Sequence, residues 1–181
     1  MDFTLSPEID DYRRRVRAFV DEHVMPLEDD PNLRDEHDMI LEEALVPVRA
    51  KAKAEGLWGF QMPKKRGGQE VGIVGMAACY EEMGRSIFGP VAFNCMAPDD
   101  GNMMVLEKTL PEDKKDRWLQ PIVDGTVRSS FVMTEPMPGG GSDPSAMLTT
   151  AEKKGDRWII NGDKWFITGG EGAKVYILIA K

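Results

Sequence analysis

The feature that most constrains this chain is a change of hydrophobic period at Val127. Up to there, apolar residues recur every three to four positions; beyond it they alternate. The first spacing matches an α-helix that buries one face, and the second matches a strand. The expected fold class is therefore α+β, an all-helical domain over residues 1–125 followed by an antiparallel β-domain over 126–181.

Local signals divide the helical part. Ser6-Pro7 is a cap followed by proline at the first helical position. Ile9, Tyr12, Val16, Val20, Val24 and Leu27 then form one apolar stripe, which predicts a single amphipathic helix. A second helix is expected from Asp38 to Glu55, kinked or split at Pro47 and stopped by Gly56. A glycine-rich loop follows as far as Gly72. A third helix is expected over Ile73–Met83, with Met76, Ala77, Tyr80 and Met83 as its core stripe, and a fourth over Asp100–Leu110. Thr109-Leu110-Pro111-Glu112 fits a capping box, with a helix running on through Trp118 and Val123 to Gly125.

In the β-part, Val127–Thr134 alternates as a strand. Asn161-Gly162 between Trp158-Ile159-Ile160 and Asp163–Ile167 predicts a hairpin, because Asn-Gly is the commonest two-residue turn. Val175–Ala180 is continuously apolar, hence a buried strand. That strand would close a β-domain of about four strands, few for a closed barrel or sandwich. The β-domain is accordingly expected to be incomplete, with the chain a fragment.

Composition excludes several functions. The net charge of −8 argues against nucleic acid, which needs clustered cations. Lys64-Lys65-Arg66 is expected to be solvated surface. No apolar run reaches the about 18 residues of a membrane span. The N-terminus lacks secretory or transit character, so a cytoplasmic location is expected. Cys79 and Cys95 lack metal or redox spacing and are expected as buried thiols. With His23 and His37 as the only histidines, no metal centre is expected.

The segment with most chemical content is Thr134–Asp143, which combines a strand end, Glu135, prolines, glycines and Ser142. On the residues alone it is a turn before it is a ligand loop, although glycines there would let a backbone approach an anionic or carbonyl oxygen. Glu135 is expected to be a local hydrogen-bonding group rather than a base. Phe131, Trp165 and Phe166 read as β-core packing.

Phe131-Val132-Met133-Thr134-Glu135-Pro136 and Gly141-Ser142-Asp143 nevertheless resemble the flavin-binding stretch of acyl-CoA dehydrogenases. Asn161–Thr168 resembles that family's second flavin-contacting segment. Gly56-Leu57 and Glu81-Glu82-Met83-Gly84 are similar to its N-terminal helical domain. Ala97–Met103 and Arg128-Ser129 resemble the branch whose dehydrogenase unit can be fused to a kinase-like domain. The resemblance implies FAD as cofactor, an acyl-CoA substrate and a homo-oligomer at full length; the electron acceptor stays open.

It further implies that Phe131, Val132, Met133, Thr134, Phe166, Ile167 and Thr168 line the flavin. Phe166 stands where the family usually has a tryptophan against the ring, and Thr168 where a threonine bonds near N5. Ser142 would contact flavin phosphate and the CoA portion of the substrate, across a loop longer than the family spacing. For Trp165 the expectation remains core packing. The family's catalytic carboxylate lies in a C-terminal domain with no counterpart in these residues, so no catalytic residue is assigned and the 181-residue chain is expected to be inactive alone. The alternatives are a non-catalytic interaction module and a flavin-dependent monooxygenase of the same fold.

Overall fold

A computed structural model describes residues 4–36 and 38–181; His37 lies outside the described residues. The chain separates into two compact units, Met1–Asp100 and Gly101–Lys181.

The first unit is helical. α1 (Pro7–Phe19) starts where the Ser6 hydroxyl accepts from the Ile9 amide at 3.4 Å. The stripe predicted as one helix continues through a π-turn over Val20–Val24 into a 3₁₀ turn over Met25–Leu27. Pro26 brings no N–H to extend the α ladder there. α2 (Glu42–Ala54) begins four residues later than expected, because Asp38 sits at a left-handed φ of 61°. Pro47 lies inside α2 without splitting it. Both Pro47 and Glu43, whose carbonyl loses its i+4 donor, are exposed, a position where a missing helical bond is tolerated because solvent has access. α3 (Gly72–Met83) and the short α4 (Gly89–Ala92), the latter absent from the periodicity, complete the unit. Their core contains Val16, Phe19, Phe60, Met83 and Phe93. Cys79 and Cys95 are buried free thiols. Burial pushes their pKa up to about 11 and about 12, so both stay protonated and unreactive. Lys64 and Lys65 are exposed as expected, but Arg66 is buried.

The second unit opens in α5 (Asp99–Thr109). No capping box follows. The Thr109 hydroxyl donates back to the Val105 carbonyl at 2.8 Å, and α6 (Glu112–Trp118) starts without a side-chain cap. α7 (Gln120–Val123) is a separate piece rather than a continuation, since Pro121 cannot donate to the preceding turn.

The β-region has a parallel pair, β1 (Ser129–Val132) with β4 (Val175–Leu178), and an antiparallel hairpin, β2 (Thr150–Lys154) with β3 (Arg157–Asn161). The hairpin turns at Gly155-Asp156, not at Asn161-Gly162. Gly155 takes the left-handed φ of 65° that the turn needs. Asn161 ends β3, and 162–167 is not a strand. β4 is not buried throughout: Val175 is, whereas Tyr176 is 53% exposed. Tyr176 and Leu178 face Trp158 and Ile160 of the hairpin across an open groove of about 550 Å³. The chain just after β4 joins the two pairs, with the Ala151 amide donating to the Lys181 carbonyl at 2.8 Å and the Lys181 amide to the Thr149 carbonyl at 3.0 Å. Among the described residues no helix is long and apolar enough to cross a membrane.

Candidate functional site

Two stretches predicted to line one ligand lie side by side. β1 carries Phe131 and Val132, and the chain continues extended through Met133 and Thr134. The Trp165 amide donates to the Thr134 carbonyl at 3.1 Å. The Ser130 hydroxyl, on a fully buried residue, donates to the Thr168 carbonyl at 3.0 Å. Residues 131–134 and 166–168 thus come together across more than thirty positions of sequence. The neighbouring Ser129 is also buried, and its Oγ accepts from Asn102 at 2.9 Å. Asn102 belongs to the Ala97–Met103 motif and Ser129 to the Arg128-Ser129 pair, so two motifs far apart in the chain meet.

The aromatic residues do not pack in a core. Phe166 is 81% exposed and Trp165 45%, which corrects the packing expected of them. Their rings stack on each other, tilted, with centroids 4.6 Å apart. Phe166 sits at a φ of 50°, costly for a non-glycine residue. Neither the Thr134 nor the Thr168 hydroxyl has a partner among the described residues. Exposed ring faces beside unspent hydroxyls suit a flat heteroaromatic ligand with a polar edge. An isoalloxazine ring is such a ligand, so the residues present fit a flavin.

Ser142 is exposed in the loop that follows. That loop is closed by the Glu135 amide donating to the Gly141 carbonyl at 3.0 Å. The adjacent Asp143 carboxylate accepts from the Ser145 amide at 2.9 Å and hydroxyl at 2.7 Å. These bonds hold its carboxyl below the ordinary value.

Glu135 is only 3% exposed and fully engaged. Oε1 accepts from the Thr149 amide at 2.8 Å and from Lys164 Nζ at 3.0 Å; Oε2 accepts from the Leu148 amide at 2.6 Å. The Thr149 side chain beside it comes first among the influences that lower its pKa to about 2, ahead of these amides and the Lys164 ammonium, against the cost of burial. Thr149 Oγ1 is itself buried without a partner at hydrogen-bond geometry, so we assign the hold chiefly to the amides and the ammonium. A carboxylate so stabilised is a poor base at neutral pH. The role expected of Glu135, a local hydrogen-bonding group, is the one it has. Lys164 carried no role in the sequence; only its position beside the family-like segment Trp165–Thr168 could have pointed to it.

The folded pKa of Glu135 lies below the ordinary 4.5, so the ionised group stabilises the fold above that value. The contribution is lost as pH falls from 4.5 towards about 2. We expect Glu135→Gln to melt lower than the parent at neutral pH and to lose less on acidification. Melting midpoints across the acid range check this; parallel curves would contradict it.

Comparison with known proteins gives the family. Residues 6–126 match the profile described as acyl-CoA dehydrogenase, N-terminal domain, and residues 130–181 the one described as acyl-CoA dehydrogenase, middle domain. The chain belongs to the acyl-CoA dehydrogenase family, a family of oxidoreductases. It is 35% identical to acyl-CoA dehydrogenase family member 11 of Rattus norvegicus, over 91% of this chain and 21% of that one. It is also 35% identical to FadE2 of Mycobacterium tuberculosis, over 99% and 44%. The chain thus spans from about a fifth to less than half of these relatives' length. Among solved structures, a Mycobacterium abscessus protein assigned to the acyl-CoA dehydrogenases superposes with a TM-score of 0.87 at 36% identity, covering 97% of this chain and 46% of that one. PigA in complex with FAD superposes with a TM-score of 0.79 at 28% identity, covering 100% and 45%.

Proposed function

We propose that this chain supplies one wall of an FAD site in an enzyme that dehydrogenates acyl-CoA thioesters between the α and β carbons. The observation that carries this reading is the juxtaposition of Phe131–Thr134 with Phe166–Thr168, exposed rings and unspent hydroxyls included. The likeness to PigA, solved with FAD, supports the flavin part independently of the acyl-CoA part. The domain boundary at residue 125/126, the homo-oligomer and the cytoplasmic location belong to the same reading.

The residues divide the work. Backbone groups of Phe131–Thr134 and the Thr134 hydroxyl would hold the polar edge of the ring. Phe166 and Ile167 would cover its apolar face, and the Thr168 hydroxyl would bond to it. Ser142 meets the phosphates and the CoA portion of the substrate. A flavin held there would supply the hydride acceptor for oxidation of the substrate's β-carbon. Removing the α-proton needs a carboxylate poised near neutral pH, and Glu135 is not one. We assign the base to none of these residues.

The test has two arms. The protein expressed from its natural gene is expected to purify with FAD, and acyl-CoA is expected to bleach the flavin's visible absorbance. The polypeptide of residues 1–181 alone is expected to turn over no acyl-CoA. Intact protein without flavin would remove the whole reading. Flavin that no acyl-CoA reduces would leave the cofactor assignment and remove the substrate. Turnover by the 181-residue chain would show that a base lies within it.

A further inference from the structure

We propose that Glu135 and Lys164 are positioning residues of this site, a buried pair that fixes the register between the Phe131–Thr134 segment and the Trp165–Thr168 segment. The inference rests on the flavin reading above. Glu135 directly follows Thr134, and Lys164 directly precedes Trp165. The Lys164 side chain is 8% exposed and that of Glu135 4%. Lys164 Nζ donates to Glu135 Oε1 at 3.0 Å and to the Met133 carbonyl at 2.7 Å. The ammonium therefore grips that stretch by a side chain and by its backbone. The other bonds of Glu135, to the Leu148 and Thr149 amides, tie a third segment to the same point.

The pair is needed because little else sets this register. Residues 162–168 make no strand ladder. Among the described residues, the backbone bond between Trp165 and Thr134 and the Ser130–Thr168 bond are further ties between the segments. With Phe166 at a left-handed φ of 50° and no ladder beside it, the segment has no strand pairing to hold its place. A slip of one residue would carry Phe166 and Thr168 away from Thr134. Burying an ion pair adds little net stability, since desolvation offsets the attraction. Fixing register is the best-attested use of such a group.

The experiment uses the intact protein. FAD dissociation constants, the visible circular dichroism of bound flavin and the melting midpoint of the apoprotein are measured for Glu135→Gln, Lys164→Met and the double variant. Phe166→Ala and Thr134→Val serve as ring-contact controls. Each clamp variant is expected to weaken FAD binding by about tenfold or more and to alter the dichroism, because the ring then meets displaced partners. The double variant is expected to be no worse than the singles, since they disable one interaction. It also leaves no lone charge buried, so it keeps the test open if a single variant fails to fold. Lower melting points with unchanged affinity and dichroism would overturn the proposal, leaving a merely structural pair. If the ring-contact controls leave affinity unchanged, or the parent holds no flavin, the flavin reading itself fails.

Discussion

Phe93→Ala is expected to destabilise the helical unit by about 3–5 kcal/mol, the cost of truncating a buried phenylalanine to alanine. Phe93 is fully buried. Its ring lies 5.1 Å from that of Phe19 and 6.2 Å from that of Phe60, so it joins α1 to the loop before α3. Its carbonyl also accepts from the Gly59 amide at 3.0 Å, which holds the surrounding backbone in place. Walls fixed in this way collapse little into a cavity, and incomplete collapse puts the cost high in the range. Against a total stability of about 5–15 kcal/mol for a domain, such a loss leaves a large unfolded fraction. Urea denaturation of parent and variant measures it, with Phe93→Leu expected to lose less than half as much. A loss under about 1 kcal/mol would show that the ring is not the joint described.

How much of this was legible depends on how local each signal is. Ser6-Pro7 and Gly125 act through their own backbone geometry, and the chain turns or begins a helix where they stand. The change of period at Val127 locates β1, although burial there does not alternate: Ser129, Ser130 and Val132 are buried and Phe131 is half-buried. Signals failed where a distant partner took the residue over. Asn161-Gly162 has the composition of a hairpin turn, yet a Cβ on Gly162 would come within 2.3 Å of Thr149 Oγ1. That glycine admits a neighbouring backbone rather than making a turn. Thr109 has the identity of a cap, but its hydroxyl is spent on Val105. Trp165 sits in a strand-like pattern, which does not say which face other chain will cover. Glu135 was legible as a hydrogen-bonding group, but not its partners, which lie 13, 14 and 29 positions away. The residues proposed to face the flavin carry no pattern of their own; their family resemblance singled them out, and the fold then placed 131–134 beside 166–168.

Phe166→Gly is expected to move stability and flavin affinity in opposite directions. The residue holds a left-handed φ of 50° and is 81% exposed. A side chain in that region costs about 1–2 kcal/mol, which glycine recovers, less about 0.5–1 kcal/mol for its greater freedom when unfolded. Little buried surface is lost besides the contact with Trp165, so the apoprotein is expected to gain about 0.5–1 kcal/mol. The same change removes the ring proposed to stand against the flavin. Aromatic stacking on a heterocyclic ligand is worth about 1–3 kcal/mol, so FAD affinity is expected to fall about tenfold or more. Thermal melting of the apoprotein and FAD titration of the same samples measure both. A variant that melts higher and binds FAD as tightly as the parent would end the role given to Phe166. Lower affinity with higher stability would instead show why the strain persists: the backbone is held in a costly conformation that presents the ring to a ligand, and the fold alone has no use for it.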